Sequence, residues 1–118
     1  MITRRLALLA ALGVTAAACG GGGASQAAQA CGYVRSSLAL FAASAHARQA
    51  GDLTAAHSDA GKALTDLRLA LPLASQAEAS DGNWQPLMTT LSESSRVPER
   101  LLVPGLQAEC AGVGVSGG

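Results

Sequence analysis

Hydropathy divides this chain into three stretches. Residues 6–14, Leu-Ala-Leu-Leu-Ala-Ala-Leu-Gly-Val, form an unbroken apolar run with no period. Small residues follow, and then the glycine run Gly20 to Gly23. After Ser25 apolar positions recur at steps of three and four, the spacing of one helix face. Cys31, Val34, Leu38, Phe41 and Ala45 make the first stripe, which ends at Arg48. The pattern stops at Gly51, a residue suited to the left-handed position past a helix C-terminus, and Asp52 then offers an N-cap carboxylate. Ala50-Gly51-Asp52 therefore predicts a tight turn between two antiparallel helices. The second stripe is Leu53, Ala56, Ala60, Ala63, Leu64, Leu67, Leu71 and Ala74. Pro72 lies within it and predicts a kink or a break, because its ring clashes with the carbonyl of Arg68 and it has no N–H to donate.

Ser80-Asp81-Gly82-Asn83 reads as a loop. A helix follows with Pro86 in its first turn and Leu87, Met88 and Leu91 facing inward. Pro98 and Pro104 should divide the remainder into short helical pieces, with Leu101, Leu102 and Leu106 apolar and Cys110 near the end. No stretch alternates with the period of a strand. The expected fold is all-α: a small three- or four-helix up-down bundle over residues 26–112, built from Ala and Leu, with residues 113–118 as a disordered tail.

The N-terminal run takes its meaning from its flanks. Arg4 and Arg5 precede it and no acidic residue occurs before Asp52. The run is too short to cross an apolar layer of roughly 30 Å as a helix, but has the length of the apolar core of an export signal. Ala16-Ala17-Ala18 and then Cys19 close it. Together these residues resemble a bacterial lipoprotein signal, with Ala16 where that family usually has Leu. The resemblance implies a signal peptide over 1–18, lipid on Cys19, a flexible Gly-rich tether over 19–25, and anchorage to the outer face of the cell membrane. Ala16-Ala17-Ala18 also suits ordinary signal peptidase, and cleavage there without lipid would give a secreted protein. Thr3-Arg4-Arg5-Leu6-Ala7-Leu8 partly resembles a twin-arginine signal, with Ala7 in place of the usual aromatic, so the export route stays open. Abundant Ala and Arg against the one lysine, Lys62, add a likeness to the small lipoproteins of actinobacteria.

The cysteines bear on the choice. There are three, an odd number for an exported protein. If Cys19 carries lipid, Cys31 and Cys110 remain to pair. Cys31 shares the inward stripe of Val34 and Phe41, so the expected bridge ties the first helix to the last and is structural. The two are too far apart in sequence to be a C-x-x-C redox pair.

Charge and candidate chemistry narrow the function classes. Eight basic and eight acidic residues balance, aromatics are 3% of the chain, and no basic patch or stacking platform appears, which argues against a nucleic-acid partner. His46 and His57 stand at similar distances either side of the turn, and with Asp52 or Asp59 they are the candidate metal ligands. They lack the i, i+4 spacing that puts two ligands on one helix face, so no metal or cofactor is expected. Asp52, Asp59 and Asp66 repeat at sevens around Lys62, the look of a solvated, locally neutralised helix face. No nucleophile elbow or phosphate-binding loop occurs. Trp84 is the candidate partner contact; its competing role is to cap the core beside Leu53, Leu73 and Leu87. Ala50-Gly51-Asp52-Leu53 with Ala56, Ala63 and Leu64 resembles the inter-helix turn of a tetratricopeptide repeat, but no second copy follows at the expected period. The expected function is that of a non-enzymatic cell-envelope lipoprotein, a small helical binding or adaptor module with a protein partner. The alternative is a carrier or sensor of a small apolar ligand or metal ion within the bundle.

Overall fold

A computed structural model of the chain describes residues 23–113. Every regular element among them is a helix. Helix α1 is Ala24–Gln49, α2 is Leu53–Ser80, α3 is Gln85–Ser92 and α4 is Glu99–Cys110. Single 3₁₀ turns, Gly82–Trp84 and Glu93–Ser95, lead into and out of α3. The proposed signal peptide, Cys19 and the first part of the tether lie outside the described residues.

The α1–α2 turn forms as its residues predict. Asp52 N–H donates to the Ala47 carbonyl at 2.9 Å and Gly51 N–H to Arg48 at 3.1 Å, closing the last carbonyls of α1. Gly51 adopts φ +80, where a side chain would be strained. Asp52 Oδ1 then accepts from Ala55 N–H at 3.0 Å, capping α2.

Small residues, rather than the leucines, set how the two long helices meet. Gly23, Ala30, Ser37 and Ser44 recur at sevens on α1 and are all buried. Ala56, Ala63, Ala70 and Ala77 recur at sevens on α2 and are all fully buried. Each step forward on one helix meets a step back on the other. Ser44 Oγ donates to the Ala56 carbonyl at 2.8 Å, and Ser37 Oγ lies 2.7 Å from the Ala63 carbonyl. At the far end a Cβ added to Gly23 would fall 2.8 Å from the Ala77 carbonyl oxygen. The same register sets Ala30 opposite Ala70. A sevenfold repeat held by Gly, Ala and Ser lets the two backbones approach closely over the whole hairpin.

This seam departs from the expected stripe mainly on α1, whereas on α2 Ala56, Ala63, Leu67 and Ala74 are buried as expected. Ala27, Ala30, Ser37, Ser44, Ala70 and Ala77 are buried, whereas Ala45 and Arg48 face solvent and Leu53 is 56% exposed. Close helix contact selects for small side chains, which is why Ala30, Ser37 and Ser44 are buried where Ala45 and Arg48 are not.

The larger apolar side chains gather at the end of the hairpin away from the turn. There Cys31, Val34, Leu67 and Ala74 meet Leu87 and Leu91 of α3 and Leu102, Leu106 and Cys110 of α4 in one cluster. Each fully buried Leu contributes about 1.5–3 kcal/mol. Cys31 and Cys110 are joined in this cluster, their Cα atoms 5.5 Å apart, so the expected bridge from first helix to last is present.

Several local expectations are corrected. Helix α1 starts at Ala24, so Gly23, Ala24 and Ser25 belong to the bundle, not to a tether. Gly23, with φ +81 and its Cα against Ala77, is the N-cap of α1. Of the two outcomes expected at Pro72, a kink or a break, the break does not occur, since α2 runs through it as one helix. Pro72 and Arg68 are both exposed, so water can serve the carbonyl whose helical donor is lost. Pro98 does mark a boundary, as the N-cap of α4, but Pro104 lies inside that helix. Val113 packs on the core and its carbonyl accepts a hydrogen bond from the Arg35 guanidinium, so it is not part of a loose tail. Residues 114–118 lie outside the described residues.

Candidate functional site

The outer flank of the α1–α2 seam carries a shallow groove of about 390 Å³, lined by Gln29, Gly32, Tyr33, Ser36 and Asp66. Gly32 opens it, since a Cβ there would meet nothing within 4 Å. Tyr33 is 37% exposed along it. Asp66, from α2, is half-buried, and its Oδ2 is enclosed with no hydrogen-bond partner.

Behind Asp66 lies Glu99, the first residue of α4, only 7% exposed. Glu99 Oε2 is 2.9 Å from Ser37 Oγ. Burial pushes this carboxyl above its ordinary 4.5; a hydrogen bond donated by Ser37 would pull it down, and the neighbouring Asp66 pushes it up again. Ten residues on, Glu109 repeats the arrangement against α3: its Oε2 is 2.8 Å from Thr90 Oγ1, and its Oε1 is buried without a partner. Burial raises the Glu109 carboxyl too, against the lowering effect of Thr90 as a donor. Two acids on α4 are thus enclosed against hydroxyls of other helices, and neither belongs to an ion pair among the described residues. Sequence reading passed over both, because an acid in the first turn of a helix and an acid near its end look like ordinary surface residues. The signal available was weak: each has its hydroxyl partner on another helix.

The residues singled out from sequence are dispersed. His46 and His57 are exposed near the turn, and the described residues contain no group of three or more His, Cys, Asp or Glu disposed to hold a metal ion. Asp52 is occupied as a helix cap. Asp59 and Asp66 are half-buried, and the one ion pair among the described residues is Arg96–Glu93 at 3.0 Å, so Lys62 does not neutralise the aspartate row by direct pairing. Trp84 is half-buried against the core cluster, near Leu73 and Leu87, and away from the exposed Leu53 at the opposite end of α2.

These features define an all-α bundle: a close-packed helical hairpin, capped by two short helices and closed by a disulfide. No family model, no curated protein and no solved structure matches the chain.

Proposed function

We propose that this chain is a cell-envelope lipoprotein, held by lipid on Cys19 at the outer face of the membrane, where the helical bundle serves as a non-enzymatic binding or adaptor module for a protein partner. The observation that carries the reading is the Arg4-Arg5 apolar run ending in Ala16-Ala17-Ala18-Cys19. Support comes from the pairing of Cys31 with Cys110, which leaves Cys19 as the one cysteine outside the bridge. In this reading the bundle begins within a few residues of the lipid, because Gly23 already packs on Ala77. The tether is then short, and the bundle sits against the membrane surface instead of ranging far from it.

The test is expression in an envelope-bearing bacterium, with membrane fractionation and intact-mass measurement of the extracted protein. Wild type should fractionate with membranes and carry a diacylglycerol adduct. Cys19→Ala should move to the soluble fraction while keeping its helical circular dichroism. Retention of Cys19→Ala in the membrane would overturn the lipid anchor. A stoichiometric small molecule or metal in the native mass spectrum, in place of a co-purifying polypeptide, would replace the adaptor reading with that of a carrier.

A further inference from the structure

The two acids of α4 pose a problem of hydrogen counting. Ser37 has one hydroxyl hydrogen, yet its Oγ sits 2.7 Å from the Ala63 carbonyl oxygen and 2.9 Å from Glu99 Oε2. Both neighbours are acceptors if Glu99 is ionised, and one of the two contacts would then set lone pair against lone pair. Thr90 repeats the pattern, with its Oγ1 at 3.0 Å from the Pro86 carbonyl and 2.8 Å from Glu109 Oε2. Both sets of contacts are satisfied at once if each glutamate is a neutral carboxylic acid. Ser37 then donates to the Ala63 carbonyl and Thr90 to the Pro86 carbonyl, and each hydroxyl accepts from the acid's O–H.

The surroundings agree. From α2, Glu99 faces Asp66, a second acid whose Oδ2 is enclosed and unpartnered. From α1 the neutral hydroxyl of Ser37 lies against it. Glu109 faces Thr90 of α3, and its other oxygen is buried with no partner, a position far less costly for a neutral C=O than for a charged oxygen. Among the described residues no cation compensates either acid. Arg35 is exposed and donates to the Val113 carbonyl, Arg96 pairs with Glu93, and Arg48, Lys62, Arg68 and Arg100 are exposed outside any ion pair.

We propose that α4 is a pH-released flap, docked while Glu99 and Glu109 are protonated, loosened when they ionise, and retained by the Cys31–Cys110 disulfide at its C-terminal end. The sign follows from where the protons sit. Both carboxyls are raised above the ordinary 4.5, so the docked state holds protons that an undocked α4 gives up. The docking contribution is complete below pH 4.5 and declines as pH climbs through the raised values. Each proton released makes opening up to tenfold more favourable per pH unit in that window, and two make it up to a hundredfold. Opening would uncover Leu102 and Leu106 together with the core face of Val34 and Leu67 that they cover. The bridge at Cys110 makes that excursion a local one.

The test uses the full chain with its disulfide intact, in a mild nonionic detergent. Carboxyl-carbon NMR titration should show Glu99 and Glu109 titrating above 4.5. Amide exchange, corrected for its intrinsic pH dependence, should show protection of Leu102 and Leu106 falling as pH rises through those titrations while Val34 and Leu67 hold theirs. In the E99Q/E109Q double variant, which fixes the neutral hydrogen-bonding form, protection of α4 should no longer depend on pH. Carboxyls that titrate at or below 4.5, or α4 protection that is flat with pH in the wild type, would overturn the proposal. Should the double variant fail to fold, the wild-type titration and exchange decide the matter alone.

Discussion

Removal of the Cys31–Cys110 bridge is the perturbation whose magnitude the structure allows to be worked out most directly. The bridge joins residues 79 apart in sequence, so it closes a loop that includes nearly all of the bundle. Loop-closure entropy for that length predicts a loss of about 4.5 kcal/mol when the denatured chain is freed, taken as an upper figure. Cys31 is fully buried and Cys110 is 5% exposed, so replacing both with Ala also empties space in the core, at a cost of about 1 kcal/mol. A domain of this size has total stability on the order of 5–10 kcal/mol, so the variant should lose half of it or more. The assay is urea unfolding of wild type and of Cys31→Ala/Cys110→Ala, followed by far-ultraviolet circular dichroism and by Trp84 fluorescence. The midpoint should fall sharply and the slope should rise, because an uncrosslinked denatured chain exposes more surface. Wild type unfolded in reductant should reproduce most of the loss. A loss below about 1 kcal/mol with an unchanged slope would refute the reasoning, showing that the denatured chain is already as restricted without the bridge.

The seam and the glycines supply further tests by the same measurement. Ala70→Leu should destabilise by about 1–3 kcal/mol despite its added apolar surface, since the fully buried Ala70 sits where the two backbones approach; a stabilised variant would mean the seam has slack. Gly23→Ala should destabilise by at least about 1 kcal/mol, because it combines φ +81 with a Cβ 2.8 Å from the Ala77 carbonyl oxygen, and a neutral result would return Gly23 to the tether. Gly61→Ala should do the reverse and stabilise by about 1 kcal/mol, as its position is helical and a Cβ there meets nothing within 4 Å.

Local chemistry was legible from the chain because it depends on neighbours in sequence. The Ala50-Gly51-Asp52 turn is one case: a glycine free to take positive φ and a carboxylate three residues before the helix N–H it caps act within a few residues of each other. The all-α class, Pro86 in the first turn of α3 and the inward Leu87 and Leu91 are others, as is the Cys31–Cys110 pairing once cysteine counting had set Cys19 aside. Pro72 and Pro104 show the limit of a local rule, since each removes one hydrogen bond while the rest of the helix and its packing retain the conformation.

Tertiary structure alone decided the phase of α1 and the surroundings of the acids. Hydropathy ranks Leu53 above Gly23 or Ser44, but the close approach of α1 and α2 depends on the absence of side-chain bulk, which becomes visible only when both helices are in place. Ser37 and Glu99 lie 62 residues apart and Thr90 and Glu109 lie 19 apart, and nothing along the chain marks either pair. A carboxyl's ionisation depends on what surrounds it in space. A linear sequence carries the group, and the fold supplies the environment that determines its charge.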